Sequence, residues 1–184
     1  SSQVVVDVEL YRQSFLRGLS QFDGNPSDWN FLTLLPSYRG TPNSSLIFMM
    51  KGLMEVSESP YNGIFLDEVE KLSERVEKAK TWREGKVLLM GVSHALWDLA
   101  EKFPQNLQGV IVMETGGMKG RRKEITRSQL HKILSHSFEM EKIHSEYGMT
   151  EMLSQAYSQG EGIFKTPPWL KICLLYTSDA ADDL

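Results

Sequence analysis

The stretch Lys86-Val87-Leu88-Leu89-Met90 is apolar at every position after the lysine. A strand buried on both faces of a parallel sheet has such a continuous apolar run, whereas a half-exposed strand alternates apolar and polar residues. Val110-Ile111-Val112-Met113 is a second run of this kind, and a helix is predicted between them at residues 94–103. The two runs therefore predict a strand–helix–strand unit with parallel strands.

The same alternation continues toward both ends of the chain. Residues 8–22 carry apolar side chains at the spacing of one helical face. Further strands are predicted at 31–35, 63–66 and 142–144, and further helices at 46–54, 68–80, 127–138 and 150–157. Side chains suited to capping precede three of these helices: Ser44 and Ser45 for the first, Asp67 for the second and Thr126 for the third. The pattern predicts an α/β fold, with a mostly parallel sheet and flanking helices.

Composition excludes several classes of protein. The chain has 184 residues, of which 41% are hydrophobic and 24% charged, with a formal net charge of −4. These fractions are typical of a globular chain, and no apolar run approaches the roughly 20 residues of a membrane helix. The slightly acidic balance gives no electrostatic reason to expect a nucleic-acid partner. One cysteine cannot form an internal disulfide, which favours a reducing cytoplasm.

Ligands of parallel α/β sheets bind beyond the carboxyl ends of the strands, so the loops after Leu35, Met90, Met113 and His144 are the candidate site. The loop at residues 114–124 contains a glycine pair followed by four cations, Lys119, Arg121, Arg122 and Lys123. Paired glycines allow a flat or phosphorylated ligand to approach the backbone, and the cations could hold an anion. An ordinary solvated turn with surface charge explains the same residues.

The next loop, residues 144–151, has more informative residue types. Tyr147 offers a ring for stacking, and Gly148 frees the backbone at the turn. Thr150 offers a hydroxyl at a predicted helix start, and Glu151 is a hard oxygen ligand suited to Mg²⁺. Alternatively, Thr150 is simply a helix cap and Glu151 a favourable acid of the first turn.

The segment Tyr147-Gly148-Met149-Thr150-Glu151 resembles the Tyr-Gly-x-Thr-Glu signature of adenylate-forming enzymes. Together with residues 114–124, 154–157 and 167–169, it resembles the acyl-protein synthetase family. That family includes the fatty-acid-activating subunit of bacterial luminescence systems and is related to phenylacetate-CoA ligases. The similarity covers residues 3–172, and the order and spacing of the motifs carry it.

The resemblance implies an ATP-dependent ligase and acyltransferase. A carboxylic acid, most naturally a fatty acid, would become an acyl adenylate, and the acyl group would pass to a protein cysteine or to coenzyme A. ATP and Mg²⁺ are the implied cofactors, with coenzyme A as a further one. Two alternatives stay open: a phenylacetate-type CoA ligase that acts on an aromatic acid, and a non-catalytic homologue that binds a nucleotide or a partner subunit.

The resemblance also implies roles for individual residues. Thr150 would contact the α-phosphate and Glu151 would bind the metal, so these two are the implied catalytic residues. The implied nucleotide-binding residues are Thr115, Gly116, Gly117, Glu146, Tyr147, Gly148, Met149 and Thr150. The implied acyl-pocket residues are Tyr38, Gly91, Val92 and His94. The superfamily often has a histidine where Tyr38 stands, which leaves the role of that tyrosine open.

The resemblance further predicts where the domain begins and ends. Residues 1–172 are expected to be part of the large N-terminal, AMP-binding domain of an adenylate-forming enzyme, truncated at both ends. The family's phosphate loop would precede the first helix, and its ribose-binding acid and lysine-bearing lid would follow Ile172. Such a fragment is expected to be inactive. Residues 173–184 resemble a translated sequencing adapter and are expected to lie outside the fold.

Overall fold

A computed structural model describes residues 7–37, 44–82, 86–118, 120–149 and 152–173. Within these ranges the chain forms five α-helices and six strands. The helices are α1 (Val8–Asp23), α2 (Ser45–Ser57), α3 (Val69–Ala79), α4 (Ser93–Lys102) and α5 (Arg127–Ser137). The strands are β1 (Asn30–Leu35), β2 (Gly63–Leu66), β3 (Val87–Val92), β4 (Val110–Thr115), β5 (His144–Tyr147) and β6 (Ala156–Ser158).

The strands form a single sheet in the order β2-β1-β3-β4-β5-β6. The first five strands in this order are parallel, and β6 runs antiparallel to β5 at the edge. The predicted α/β fold with a mostly parallel sheet is therefore confirmed. The order 2-1-3-4-5 is a common doubly wound arrangement, in which the chain reverses its direction of travel between β1 and β3.

Two apolar layers cover the two faces of this sheet. On one face, Val112 and Leu89 pack against α3, α4 and α5. On the other face, Leu88 and Met113 pack against α1 and α2, together with Tyr157. Because both faces are covered, β1 and β3 are buried at all six positions, as the continuous apolar run of β3 predicts. No helix in the described ranges is long and apolar enough to cross a bilayer.

Two of the three predicted helix caps are present. The Ser44 hydroxyl accepts a hydrogen bond from the Ile47 amide, and Thr126 forms a reciprocal capping box with Gln129. The prediction for Asp67 is wrong. This residue has a positive φ of 55°, and its carboxylate accepts a hydrogen bond from the Ser37 amide at 2.9 Å. It therefore joins the ends of β1 and β2 rather than capping α3.

We expect Thr126→Ala to lower the free energy of unfolding by about 1 kcal/mol, because α5 would lose its capping hydroxyl. Thr126→Ser keeps the hydroxyl and serves as the matched control. Urea denaturation of the two variants measures the difference. An alanine variant as stable as the serine variant would show that the capping box contributes nothing.

The predicted boundaries are wrong near the site. Strand β4 continues through Thr115 and β5 through Tyr147, so residues assigned to loops belong to strands. The predicted helix at 150–157 is also wrong for the part that the structure describes, residues 152–157. That part leads into β6, where Tyr157 exchanges backbone hydrogen bonds with Lys165 at 3.0 and 2.8 Å. Burial of the Tyr157 ring against Phe22 favours this edge strand over a helix.

Candidate functional site

The two loops with glycines leave the sheet side by side. Strands β4 and β5 are parallel neighbours, and Thr115 pairs directly with Glu146 at their carboxyl ends. Gly116 and Gly117 follow the first of these residues, and Tyr147 and Gly148 follow the second. The register therefore places the glycine pair and the Tyr-Gly turn at the same edge of the sheet, where parallel sheets bind ligands.

A buried carboxyl group lies at the base of these two loops. Glu146 is 6% exposed and accepts a hydrogen bond from the Thr115 hydroxyl. Burial raises the pKa of Glu146 from its ordinary value of 4.5 to about 7; the Thr115 hydrogen bond opposes this shift and the charge of Glu114 adds to it. The group therefore changes its charge near neutral pH.

Gly148 lies directly against the carboxyl group of Glu146. A Cβ atom at position 148 would fall 2.5 Å from Glu146 Oε1, which is closer than such contacts allow. From the sequence, the expected role of Gly148 is to give the backbone freedom at this turn. In the structure, however, φ is not positive at Gly148. Close approach of the carboxyl group is the physical reason for this glycine.

The Tyr147 ring lies at the rim of the site. The residue is 45% exposed, and its ring contacts Phe164 edge to face at a centroid distance of 6.1 Å. Its hydroxyl donates to Met149 Sδ at 3.6 Å. A half-exposed ring that is supported on its edge can stack on a planar ligand, which is the role that the resemblance implies for it.

Three of the residues that the resemblance implies for an acyl pocket, Gly91, Val92 and His94, lie at the end of β3, next to the glycine loop and to the point between β1 and β3 where the chain direction reverses. His94 is 2% exposed, in the first turn of α4, and its Nδ1 lies 3.4 Å from the Gly117 carbonyl oxygen. Its Nε2 is buried and has no hydrogen-bond partner. Gly91 and Val92 belong to β3 rather than to a loop. A Cβ at Gly91 would lie 2.6 Å from Leu96 Cγ, so this glycine lets α4 pack on the strand.

One predicted anion ligand is already engaged within the protein. The Arg122 guanidinium bonds to Asp98 and Glu101 and lies 4.5 Å from the centre of the Trp97 ring. These contacts fasten the chain after the glycine pair to α4. Arg122 therefore anchors the loop and is a poor candidate for binding an anion.

Glu114 is a site residue that the sequence interpretation missed. It is 1% exposed, on the α4–α5 face of β4, and accepts hydrogen bonds from Ser93 Oγ and Arg127 Nε, each at 2.7 Å. Burial alone would raise the pKa of Glu114, but hydrogen bonds from His131, Ser145, Ser93 and Arg127 hold it below its ordinary value. The signal in the sequence was a charged residue that continues a buried apolar strand.

Three predicted site residues lie outside the described ranges: Tyr38, Thr150 and Glu151. Lys119 of the cation group and residues 174–184 also lie outside them. In the part of the chain that the structure describes, no group of three or more His, Cys, Asp or Glu side chains could hold a metal ion. Because Glu151 lies outside that part of the chain, its role as a metal ligand stays a prediction.

The described residues nevertheless fit a flat ligand at the glycine pair. Gly116 has a positive φ of 76°, which favours glycine. A Cβ at Gly117 would meet no described atom within 4 Å, so the space above this backbone is open.

Comparisons with protein-family models, with curated proteins and with solved structures found no match. The fold and the site define a doubly wound α/β protein whose candidate ligand site lies at the ends of β4 and β5.

Proposed function

We propose that this chain belongs to an enzyme that uses ATP to convert a carboxylic acid into an acyl adenylate and then transfers the acyl group to a thiol. The proposed acid is a fatty acid, and the proposed acceptor is a protein cysteine or coenzyme A. The proposal rests on motifs that resemble those of acyl-protein synthetases. One observation supports it most: the Thr115–Glu146 pairing brings the two motifs together at the ligand-binding edge of the sheet.

The described residues suit the nucleotide half of this reaction. The open backbone at Gly117 would allow the base to lie against it, and the exposed face of Tyr147 would stack on the base. Attack on the α-phosphorus needs no general base, since a carboxylate substrate is already ionised at pH 7. Mg²⁺ would stabilise the charge that develops at phosphorus, and Glu151 is the proposed ligand.

A nucleotide-binding homologue without catalysis is the second candidate. The helix predicted to begin at Thr150 would have offered amide groups to a phosphate, but the described part of that segment, residues 152–157, is not helical. This contribution therefore falls away, and with it part of the argument for catalysis. In an enzyme completed with the phosphate loop and the lysine-bearing lid, exchange of pyrophosphate into ATP that depends on a carboxylic acid would distinguish the enzyme from the binding protein.

The test of the proposed function is binding of 5′-O-(N-dodecanoylsulfamoyl)adenosine, a stable mimic of an acyl adenylate, measured by isothermal titration calorimetry. We expect it to bind at least about tenfold more tightly than the guanosine counterpart, a difference of about 1.4 kcal/mol. The affinity of the phenylacetyl analogue, measured in the same way, distinguishes an enzyme that acts on fatty acids from one that acts on aromatic acids. Absence of binding, or equal affinity for the guanosine compound, would contradict the proposal.

A further inference from the structure

We propose that Glu114 is a positioning residue. It holds the glycine pair (Gly116 and Gly117) and the Tyr-Gly turn (Tyr147 and Gly148) in the geometry that binds the nucleotide. This inference rests on the proposed function and deepens it. Glu114 lies on the face of β4 opposite to Thr115. It acts through the backbone of β4 and through its partners, and it does not itself contact the ligand.

The burial of this charge is not explained by stability. Val112 and Ile143 share its face of the sheet and belong to the apolar core under α4 and α5, whereas the directly paired Ser145 is a buried polar residue of the same cluster. Replacing a buried ion pair by apolar residues of similar volume is often neutral or stabilising. An acid that is 1% exposed at this position therefore points to a requirement for a defined geometry.

The carboxylate joins the segments that border the site. Ser93 begins α4 at the end of β3, and its hydroxyl donates to Glu114 Oε2. On the other side, Arg127 of α5 donates to Oε1, and His131 Nε2 lies 3.5 Å from the same oxygen. His131 Nε2 also lies 3.3 Å from the Ser145 hydroxyl, which connects the cluster to β5.

The cluster reaches the glycine loop directly. Ser93 Oγ lies 3.2 Å from the Thr115 carbonyl oxygen and 3.3 Å from that of Gly116. On the other face of β4, the Thr115 side chain bonds to Glu146, which lies beneath Gly148. A shift of the backbone at Glu114 would therefore move both loops of the proposed site together.

The experiment compares Glu114→Gln and Glu114→Ala with Asp23→Asn, which also removes a buried acid but lies on α1 beside His144, at the start of β5. Affinity for the dodecanoylsulfamoyl adenosine is measured by calorimetry, and the melting temperature is measured in parallel. We expect both Glu114 variants to lose about tenfold in affinity, while Asp23→Asn stays within about twofold of the original chain. Acetate should restore part of the affinity of Glu114→Ala, since it fills the space of the deleted carboxylate, and should have no effect on Glu114→Gln.

Any other result of these binding measurements overturns either the positioning role of Glu114 or the proposed function. If the original chain binds the ligand and Glu114→Gln binds it equally well, the positioning role is wrong while the proposed function stands. If the original chain does not bind the ligand, the proposed function is wrong and the positioning role falls with it. Should the Glu114 variants fail to fold, Ser93→Ala removes one hydroxyl from the cluster. We expect that variant to bind about threefold more weakly, and unchanged affinity would overturn the inference.

Discussion

Glu146→Gln is expected to remove most of the loss of stability that the protein undergoes between pH 5 and pH 8. A carboxyl pKa raised from 4.5 to about 7 means that the folded state binds the proton more tightly than the unfolded chain. This stabilisation is complete below about pH 4.5 and is lost as the pH rises through about 7. The difference corresponds to about 3 kcal/mol at full ionisation. At pH 8 the glutamine variant should therefore be the more stable protein.

The titratable groups around Glu146 agree with a raised pKa for its carboxyl group. Tyr11 and Tyr157 face it from α1 and β6, and burial, with a contribution from Glu146, raises the pKa of Tyr11 to about 12 and that of Tyr157 well above its ordinary value. Both phenols therefore stay neutral in the relevant range. Glu114 is the charged group that adds to the shift, and it stays ionised.

Urea denaturation at a series of pH values measures the effect. Burial also raises the pKa of Asp23 to about 6, against a lowering hydrogen bond from Gln159, so the comparison is made in an Asp23→Asn background. Glu161→Gln, at an exposed position, is the control for removal of a negative charge. Parallel curves for Glu146→Gln and its parent over this range would show that Glu146 is not buried as described.

Substitutions at Gly117 are expected to separate ligand binding from folding. A Cβ atom at this position meets no described atom within 4 Å, and φ is not positive there, so alanine and valine should fit the free protein. We expect the melting temperature to stay the same or to rise slightly for alanine, since the unfolded chain loses freedom. In the complex, the added methyl groups would occupy the space against which the base lies.

The expected loss of affinity for the acyl-adenylate mimic is about tenfold for Gly117→Ala and larger for Gly117→Val, or at least about 1.4 kcal/mol. Gly148→Ala is a contrasting variant, because its Cβ would collide with Glu146 Oε1 and should lower stability as well as affinity. If Gly117→Val binds the mimic as tightly as the original chain does, the ligand does not lie against the glycine pair.

Local patterns were sufficient to predict most of the fold. The continuous apolar runs that became β3 and β4 identify buried parallel strands, and Thr126 identifies the start of α5. These signals lie within a few residues of the elements that they specify. The prediction at residues 150–157 failed because β6 is stabilised by contacts outside its own segment. It pairs with β5 and with Lys165, and its Tyr157 ring packs against Phe22, which is far away in the sequence.

The site was only partly predictable for the same reason. The glycines and Tyr147 are recognisable from residue types and spacing, and their proximity follows from parallel strands. The two buried acids are different. Burial raises the pKa of Glu146, against a hydrogen bond from Thr115, 31 residues away. Burial would also raise the pKa of Glu114, but hydrogen bonds from Ser93 and from α5 hold it low. Only the packed structure brings these groups together, so neither acid's electrostatic state could be inferred from the sequence.

Hydrogen exchange with mass spectrometry, with and without the dodecanoylsulfamoyl adenosine, tests most directly whether the two loops form one ligand site. We predict slower exchange in residues 115–118 and 145–149 together, and unchanged exchange at the far ends of α4 and α5, around Glu101 and His136. Protection confined to the surface hollow lined by Glu101, Ser135 and His136, or protection of only one of the two loops, would contradict this prediction.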